Sequence, residues 1–93
     1  MDQPGGTALL EQALELHPQV ALRPEPFGAL AYHYGNRRLV FLKHLDMVAV
    51  AKQLSDHPSL AATLEACEIA PARWQSFATA FASLKSSEIV RER

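Results

Sequence analysis

Apolar and polar positions alternate over residues 18–44, and this period-two pattern predicts a three-stranded antiparallel meander. The strands are expected over Val20 to Arg23, Ala29 to Tyr34 and Arg38 to Lys43. Pro24 and Pro26 should end the first strand, because proline cannot donate a hydrogen bond to a β-ladder. Gly35-Asn36 should join the second and third strands, because both residues tolerate the positive φ of a two-residue hairpin turn.

This turn sets the register of the hairpin by placing Tyr34 opposite Arg37. One face of the hairpin then carries four large side chains, Leu30, Tyr32, Leu39 and Phe41. The other face carries mostly smaller ones, Ala29, Ala31, Val40 and Leu42. We expect the larger and more aromatic face to pack on the helices. The alanine face should be more exposed, together with His33 and Arg38.

Helical spacing replaces the alternation after residue 44. Asp46 opens a helix over residues 46–54, and residues 59–67 predict a second helix. Pro58 and Pro71 suit first-turn positions of the second and third helices. The third helix carries one apolar stripe, Trp74, Phe77, Phe81 and Leu84. Three short helices joined by proline-containing turns indicate a winged helix-turn-helix-like unit.

The N-terminal residues predict a short helix ahead of the meander. Thr7 can cap a helix over residues 8–16 that Pro18 ends, and residues 1–6 are expected to be disordered. The leucine stripe of this helix should pack on its own domain, with docking onto a second copy as the alternative. The predicted class is α+β, with an N-terminal extension (1–17), a compact main domain (18–86) and a C-terminal tail (87–93) that frays or adds a short extended piece.

Composition bounds the chain to one small domain and disfavours two partner classes. Ninety-three residues with 48% apolar content support one hydrophobic core. A net charge of −1 provides no global field for nucleic acid, and the apolar runs are too short for a membrane span, so we expect a cytoplasmic protein. Arg37, Arg38, Lys43 and His44 nevertheless bracket one strand, which favours an acidic partner.

Candidate chemistry is sparse, and we interpret the chain as non-catalytic. The single cysteine, Cys67, excludes an intramolecular disulfide and is expected to be a small core residue. The four histidines do not stand at zinc-ligand spacing, and no phosphate-binding loop or nucleophile elbow occurs. No cofactor and no metal are therefore expected.

The third predicted strand is unusual for the edge of a sheet. It holds Leu39, Val40, Phe41 and Leu42 in succession and is apolar on both faces. Soluble monomers normally protect an edge strand with charge or proline. Either the edge is covered within the fold, or a partner completes it, and an extended peptide can do so by adding a strand.

The run VALRPEPFGALAYHYGNRRLVFLK resembles the peptide chaperones of the mycofactocin pathway. This family belongs to the recognition domains typified by the chaperone of pyrroloquinoline quinone biosynthesis. The helical segment HPSLAATLEACEIAPARWQSF fits the same pattern more loosely. The resemblance implies three antiparallel strands followed by three helices, a winged helix-turn-helix that binds peptide in place of DNA.

The resemblance also implies a function. Family members bind the leader of a ribosomally made precursor peptide as a further strand, antiparallel to the third strand, in a groove closed by the last helix. They present it to a radical S-adenosylmethionine maturase that modifies the C-terminal Val-Tyr of the precursor. The residues implied in this chain are Leu39, Val40, Phe41, Leu42 and Lys43 on the strand and Arg73, Phe77, Ala80, Phe81 and Leu84 on the helix. Arg37, Arg38, Lys43 and Arg73 would attract acidic residues of the leader.

Two other functions stay open from the sequence. A DNA-binding winged helix would need a basic recognition helix, but the predicted helices hold few cations, Lys52, Arg73 and Lys85. A homodimerisation module would use the N-terminal helix or the third strand to pair with a second copy.

Overall fold

A three-stranded antiparallel sheet followed by helices makes up most of the structure, a computed structural model that describes residues 5–93. In chain order the elements are α1 (Gly5–Leu10), β1 (Leu14–Leu16), β2 (Val20–Glu25), β3 (Gly28–His33), β4 (Leu39–Leu42), α2 (Leu45–Gln53), α3 (Leu60–Ala66), α4 (Trp74–Ser86) and β5 (Val90–Glu92). One-turn 3₁₀ segments follow α2 at Leu54–Asp56 and precede α4 at Pro71–Arg73. The predicted α+β class is confirmed, and the third strand of the predicted meander is β4.

Strand β2 continues through a proline that the sequence predicted would end it. Pro24 lies opposite Ala29 in the ladder, and the strand ends at Glu25 opposite Gly28. The prediction was wrong because β2 is an edge strand of the sheet β2-β3-β4. An edge strand bonds to one neighbour only, so a residue without an N–H can be accommodated there. Pro26 stands in the two-residue turn that follows.

The register of the β3–β4 hairpin is confirmed, but its turn differs from the expected one. Tyr32 pairs with Leu39 and Ala29 with Leu42. Five residues, 34–38, separate the two strands, however, and the left-handed conformation falls on Arg37 (φ 66°) and not on Gly35. The Arg37 N–H donates to the His33 carbonyl at 2.8 Å, which closes a wider turn than Gly35-Asn36 would make alone.

Side-chain contacts inside the loop explain why the wider turn forms. The His33 Nδ1 accepts hydrogen bonds from the backbone N–H groups of Gly35 (3.0 Å) and Asn36 (3.1 Å). The Asn36 Oδ1 accepts one from the N–H of Arg38 at 2.9 Å. These bonds satisfy backbone donors that a two-residue turn would leave to solvent.

The orientation of the sheet is the reverse of the one expected from side-chain size. Ala29, Ala31 and Leu42 are fully buried against the helices, whereas Leu39 and Phe41 are more than half exposed. His33, expected to be exposed, is only 2% accessible, while Arg38 is exposed as expected. We call the solvent side of the sheet the outer face; by the ladder register it carries Ala21, Arg23, Leu30, Tyr32, Leu39 and Phe41.

The helices fill the inner side of the sheet with large residues of their own. Phe81, Leu54 and Leu64 are almost completely buried there. Because protein interiors are packed at crystal-like density, small strand residues such as Ala31 leave the space that these helical side chains occupy. The expectation failed because it considered the size of the strand residues without the volume already taken by the helices.

Both ends of the described chain pack on the same core. The predicted N-terminal helix exists, but Thr7 lies inside it and does not cap it, because the helix begins at Gly5. It ends at Leu10, well before Pro18, and Leu14–Leu16 instead forms β1, which pairs antiparallel with β5. Leu9 and Leu14 are buried, so the N-terminal stripe packs on its own domain. Residues 1–4, included in the stretch expected to be disordered, lie outside the described residues; residues 5 and 6 begin α1.

The helical half follows the sequence pattern closely. Phe77, Phe81 and Leu84 are buried along α4, and the half-buried Trp74 donates its Nε1–H to the Ile69 carbonyl at 2.8 Å. Helix α3 begins after an N-cap at Ser59, whose Oγ accepts from the Ala62 N–H, so Pro58 precedes the cap and does not stand at the first helical position. Among the described helices, none combines the length and hydropathy of a membrane span.

Candidate functional site

The free edge of β4 is the first component of the candidate site. Within residues 5–93, β4 pairs with β3 on one side only. The His33 N–H donates to the Arg38 carbonyl, so by antiparallel alternation Val40 and Leu42 also bond toward β3. The N–H and C=O groups of Leu39 and Phe41 therefore point away from the sheet. They form an unpaired backbone ladder.

A cleft beside the C-terminal end of β4 is the second component. It has a volume of about 260 Å³ and lies between the residues that follow β4 and the side of α4. Its lining residues are His44, Met47, Arg73, Ser76, Phe77 and Ala80. Both polar and apolar side chains line it, so it can receive an apolar side chain beside a polar or charged one.

Arg73 is held at the mouth of this cleft by two contacts. Its Nη1 donates to the Asp46 Oδ2 at 2.9 Å, and its guanidinium lies 5.2 Å from the centre of the Phe77 ring. Both partners of the ion pair are half exposed, so the pair contributes little to stability. The contacts orient the arginine and compensate part of its charge.

The structure divides the predicted site residues, apart from the cations at the ends of β4, into three groups. Arg73, Phe77 and Ala80 line the cleft. Leu42, Phe81 and Leu84 are core residues, and Val40 is half-buried and packs against the core. The strand residues Leu39 and Phe41 lie on the outer face, away from the helices.

Three cleft residues were absent from the sequence prediction: His44, Met47 and Ser76. Ser76 could have been found from helical spacing: Arg73, Ser76, Phe77 and Ala80 stand at i, i+3, i+4 and i+7, which places the last three on one side of α4 and Arg73 just before its first turn on the same side. His44 and Met47 could not, because only the path of the chain from β4 into α2 places them beside α4.

Three exposed cations stand at the two ends of β4. Arg37 and Arg38 precede the strand and Lys43 follows it. The ion pairs found among the described residues involve other cations, Arg23, Arg73, Lys85 and Arg91. The charge at the ends of β4 is thus not compensated by a described carboxylate, and it favours an acidic ligand along the edge.

The remaining ionisable groups do not assemble into a catalytic or metal centre within the described residues. No group of three or more metal-ligating side chains occurs there. Burial raises the pKa of the half-buried Cys67 thiol, and the neighbouring Asp46 raises it further, so the thiol stays protonated at neutral pH. The ring of His17 lies 4.3 Å from that of His33, at the side of the sheet where β1 and β5 meet it.

Comparison with known proteins gives consistent matches to one family. The model of the peptide chaperone MftB family matches residues 13–91. The peptide chaperone MftB of Mycobacterium ulcerans (strain Agy99) is 39% identical over 80 residues, which cover 86% of this chain and 73% of the relative. The peptide chaperone MftB of Mycobacterium tuberculosis (strain ATCC 25618 / H37Rv) is 54% identical over 50 residues, covering 54% of this chain and 46% of the relative. No solved structure matches at a significant level.

A third relative has the same name and matches a similar share of this chain. The peptide chaperone MftB of Mycolicibacterium smegmatis (strain ATCC 700084 / mc(2)155) is 54% identical over 55 residues, 59% of this chain and 54% of the relative. The matched part therefore spans about half of the length of two of the three relatives. The family and relative names describe a peptide chaperone, which is not an enzyme, in agreement with the expected absence of catalysis.

Proposed function

This chain belongs to the peptide chaperone MftB family, and we propose that it binds the leader of a ribosomally made precursor peptide by strand addition to β4. It then presents the peptide to a radical S-adenosylmethionine maturase in mycofactocin biosynthesis. The observation that carries this proposal is the open edge of β4, where the N–H and C=O groups of Leu39 and Phe41 have no partner in the described chain. A peptide strand would satisfy both pairs of groups.

The cleft beside β4 supplies side-chain recognition in this proposal. Side chains of an added strand alternate between the two faces of the sheet. Those that point to the inner side would meet the cleft, where Phe77 and Ala80 give apolar contact and Arg73 gives charge. Leu42, Phe81 and Leu84 hold the walls of the cleft in place from the core without contacting the peptide.

Charge at the ends of β4 would select and steer the peptide. Arg37, Arg38 and Lys43 are exposed and attract acidic leader residues. Exposed ion pairs contribute only about 0–1 kcal/mol each, so the backbone ladder and the cleft should supply most of the affinity. The cations should act mainly on the association rate and on its salt dependence.

The test is a titration of fluorescently labelled precursor peptide against three forms of the protein. Phe41→Pro removes an outward N–H from β4, whereas Phe41→Ala removes the same side chain and keeps the N–H. A hydrogen bond contributes about 1 kcal/mol net, and proline also obstructs the approaching strand, so we expect Phe41→Pro to bind about tenfold more weakly than Phe41→Ala. Val40→Pro is a poor probe, because the Val40 N–H faces β3 and its loss would damage the sheet itself.

Circular dichroism melts of all three forms show whether the fold is retained. The strand-addition mode is wrong if the wild-type protein binds the peptide and the proline and alanine variants then bind equally well. Absence of saturable binding to the wild-type protein would exclude the chaperone proposal as a whole.

Presentation to the maturase has its own test. Purified radical enzyme, S-adenosylmethionine, a reductant and the precursor peptide are incubated with and without this protein, and peptide mass is followed. We expect modification of the peptide at its C-terminal Val-Tyr to depend on the added chaperone and to fall with Phe41→Pro. Equal modification in its absence contradicts the presentation role while leaving peptide binding untouched.

A further inference from the structure

The exposed large apolar side chains of the described residues are concentrated in one short part of the chain. They are Phe27, Tyr34, Leu39, Phe41 and Leu45, all between residues 27 and 45. Leu39 and Phe41 lie on the outer face of the sheet, opposite the helices. Exposed apolar side chains that cluster on one surface are typical of a binding surface, whereas singly scattered ones are not.

Two aromatic pairs extend this surface beyond the strands. Phe27, in the turn between β2 and β3, lies 5.9 Å from the ring of Phe41. Tyr34, at the start of the hairpin loop, makes an edge-to-face contact with Tyr32 at 4.9 Å. The tyrosine pair lies beside Leu39 at the start of β4, because Tyr32 pairs with Leu39 in the ladder. The phenylalanine pair includes Phe41, near the other end of β4. Tyrosine and other aromatic residues are enriched where protein surfaces meet.

The cations at the ends of β4 indicate which kind of partner covers this surface. Arg37 and Arg38 stand at one end and Lys43 at the other, and no described carboxylate pairs with them. A second copy would oppose cation to cation in either alignment of its β4, because both ends carry positive charge. Like charges placed opposite one another disfavour association. The surface therefore fits a different protein, with an apolar centre and an acidic rim.

The outer face is also continuous with the peptide edge. A strand added to β4 would place alternate side chains on the outer face, next to Leu39 and Phe41. A protein docked on the outer face would then touch the chaperone and the outward side chains of its cargo together.

We propose that the outer face, with Phe27 and Tyr34, docks the maturase through an apolar, acid-rimmed surface of that enzyme. The bound peptide completes this docking surface. The inference rests on the function proposed above, and it assigns to the maturase a surface distinct from the cleft and from the backbone edge of β4. The maturase accordingly binds the loaded chaperone more tightly than the empty one.

The test uses the double variant Phe27→Ser/Tyr34→Ser, which changes neither the backbone of β4 nor any cleft residue. Lys52→Ala is the control, since Lys52 is an exposed residue of α2 that makes no ion pair with a described residue. For each form we measure the peptide dissociation constant by fluorescence anisotropy, the maturase dissociation constant with and without saturating peptide by biolayer interferometry, and the melting curve. The single variants Phe27→Ser and Tyr34→Ser replace the double variant if it fails to fold.

We expect the double variant to keep its peptide affinity within about twofold and to lose about tenfold or more in maturase affinity, the size of loss typical of aromatic anchors. Lys52→Ala should match the wild type in both. Each single variant should show a smaller loss in the same direction. The wild type should bind the maturase more tightly when peptide is present.

Four results would overturn the inference. The first is unchanged maturase affinity in a folded variant. The second is equal maturase affinity for empty and loaded wild type. The third is a parallel loss of peptide and maturase binding, which would assign the outer face to the peptide. The fourth is evidence of another occupant of the outer face. This would be self-association in light scattering, or binding of a short oligouridine as a probe for single-stranded RNA, provided that the double variant abolishes it. Failure of the wild type to bind peptide at all would instead refute the proposed function.

Discussion

Neighbouring residues on β4 should differ sharply in their contribution to stability, because they lie on opposite faces of the sheet. Leu42 is 0% accessible and packs among the helices, whereas Phe41 is 53% accessible on the outer face. Truncation of each residue to alanine therefore tests which face is buried. The larger side chain is expected to be the less important one.

The magnitudes follow from burial. A fully buried Leu→Ala substitution removes transfer free energy and leaves a cavity, at a cost of about 2–5 kcal/mol. Full burial of a phenylalanine stabilises by about 1.5–3 kcal/mol. Since about half of Phe41 remains exposed, and its contact with Phe27 adds a fraction of a kilocalorie to about 1 kcal/mol, Phe41→Ala should cost roughly 1–2 kcal/mol. The expected order is that Leu42→Ala is the more destabilising.

Urea denaturation followed by circular dichroism measures both changes, with thermal melts as a second readout. In a domain of this size 1 kcal/mol shifts Tm by about 4–8 °C. Leu42→Ala should lower Tm by about 10 °C or more. A cost at the upper end of its range would leave the variant largely unfolded if the wild-type free energy of unfolding is ~5 kcal/mol. The inverted sheet would be refuted if Phe41→Ala were clearly the more destabilising of the two, as an inward aromatic face requires.

Two further predictions concern the hairpins and the histidine pair. Gly28→Ala should lower the free energy of unfolding by about 1–3 kcal/mol in the same urea assay. The reason is that an added Cβ would lie 1.9 Å from the Leu42 carbonyl oxygen. Wild-type stability of this variant would show that β4 does not approach Gly28 so closely. Partial burial lowers the pKa of His17 below its ordinary value of 6.5, and the charges of His33 and Arg91 lower it further, against the opposing effect of Glu88 and Glu15. Its contribution to stability is complete above about pH 6.5 and is lost on acidification below that value. The urea midpoint should therefore fall as the pH is lowered below about 6.5, and His17→Gln should reduce this fall. An equal pH dependence in wild type and variant would contradict the assignment.

The order of the three sheet strands and of the helices that follow them could be predicted from the sequence alone, and so could the hairpin register. Strand alternation has a period of two, so the relation of Leu30 to Phe41 and of Ala31 to Val40 follows once the turn is located. Helix α4 could be predicted because its buried residues repeat at helical spacing over three turns. The open edge was likewise predictable, since a meander followed by helices leaves β4 with one neighbour.

The buried face of the sheet, in contrast, was decided only by tertiary packing. The two faces of an alternating strand are equivalent in the sequence, and their occupancy depends on the volume that the helices bring. Here Phe81 and the leucines of the other helices fill the inner side, so Ala29 and Ala31 lie against them. The same cause exposes Phe41 and provides the outer face with its apolar surface.

Long-range contacts also determined the ends of the chain and part of the candidate site. Leu14–Leu16 carries a helical pattern in sequence but forms β1, because Val90–Glu92 at the far end supplies a partner strand that local sequence does not reveal. His44 and Met47 reach the cleft because the chain after β4 turns toward α4. Local periodicity determines the central strands and the helices. The choice of buried face, the terminal strands and their pairing depend instead on contacts between residues far apart in sequence.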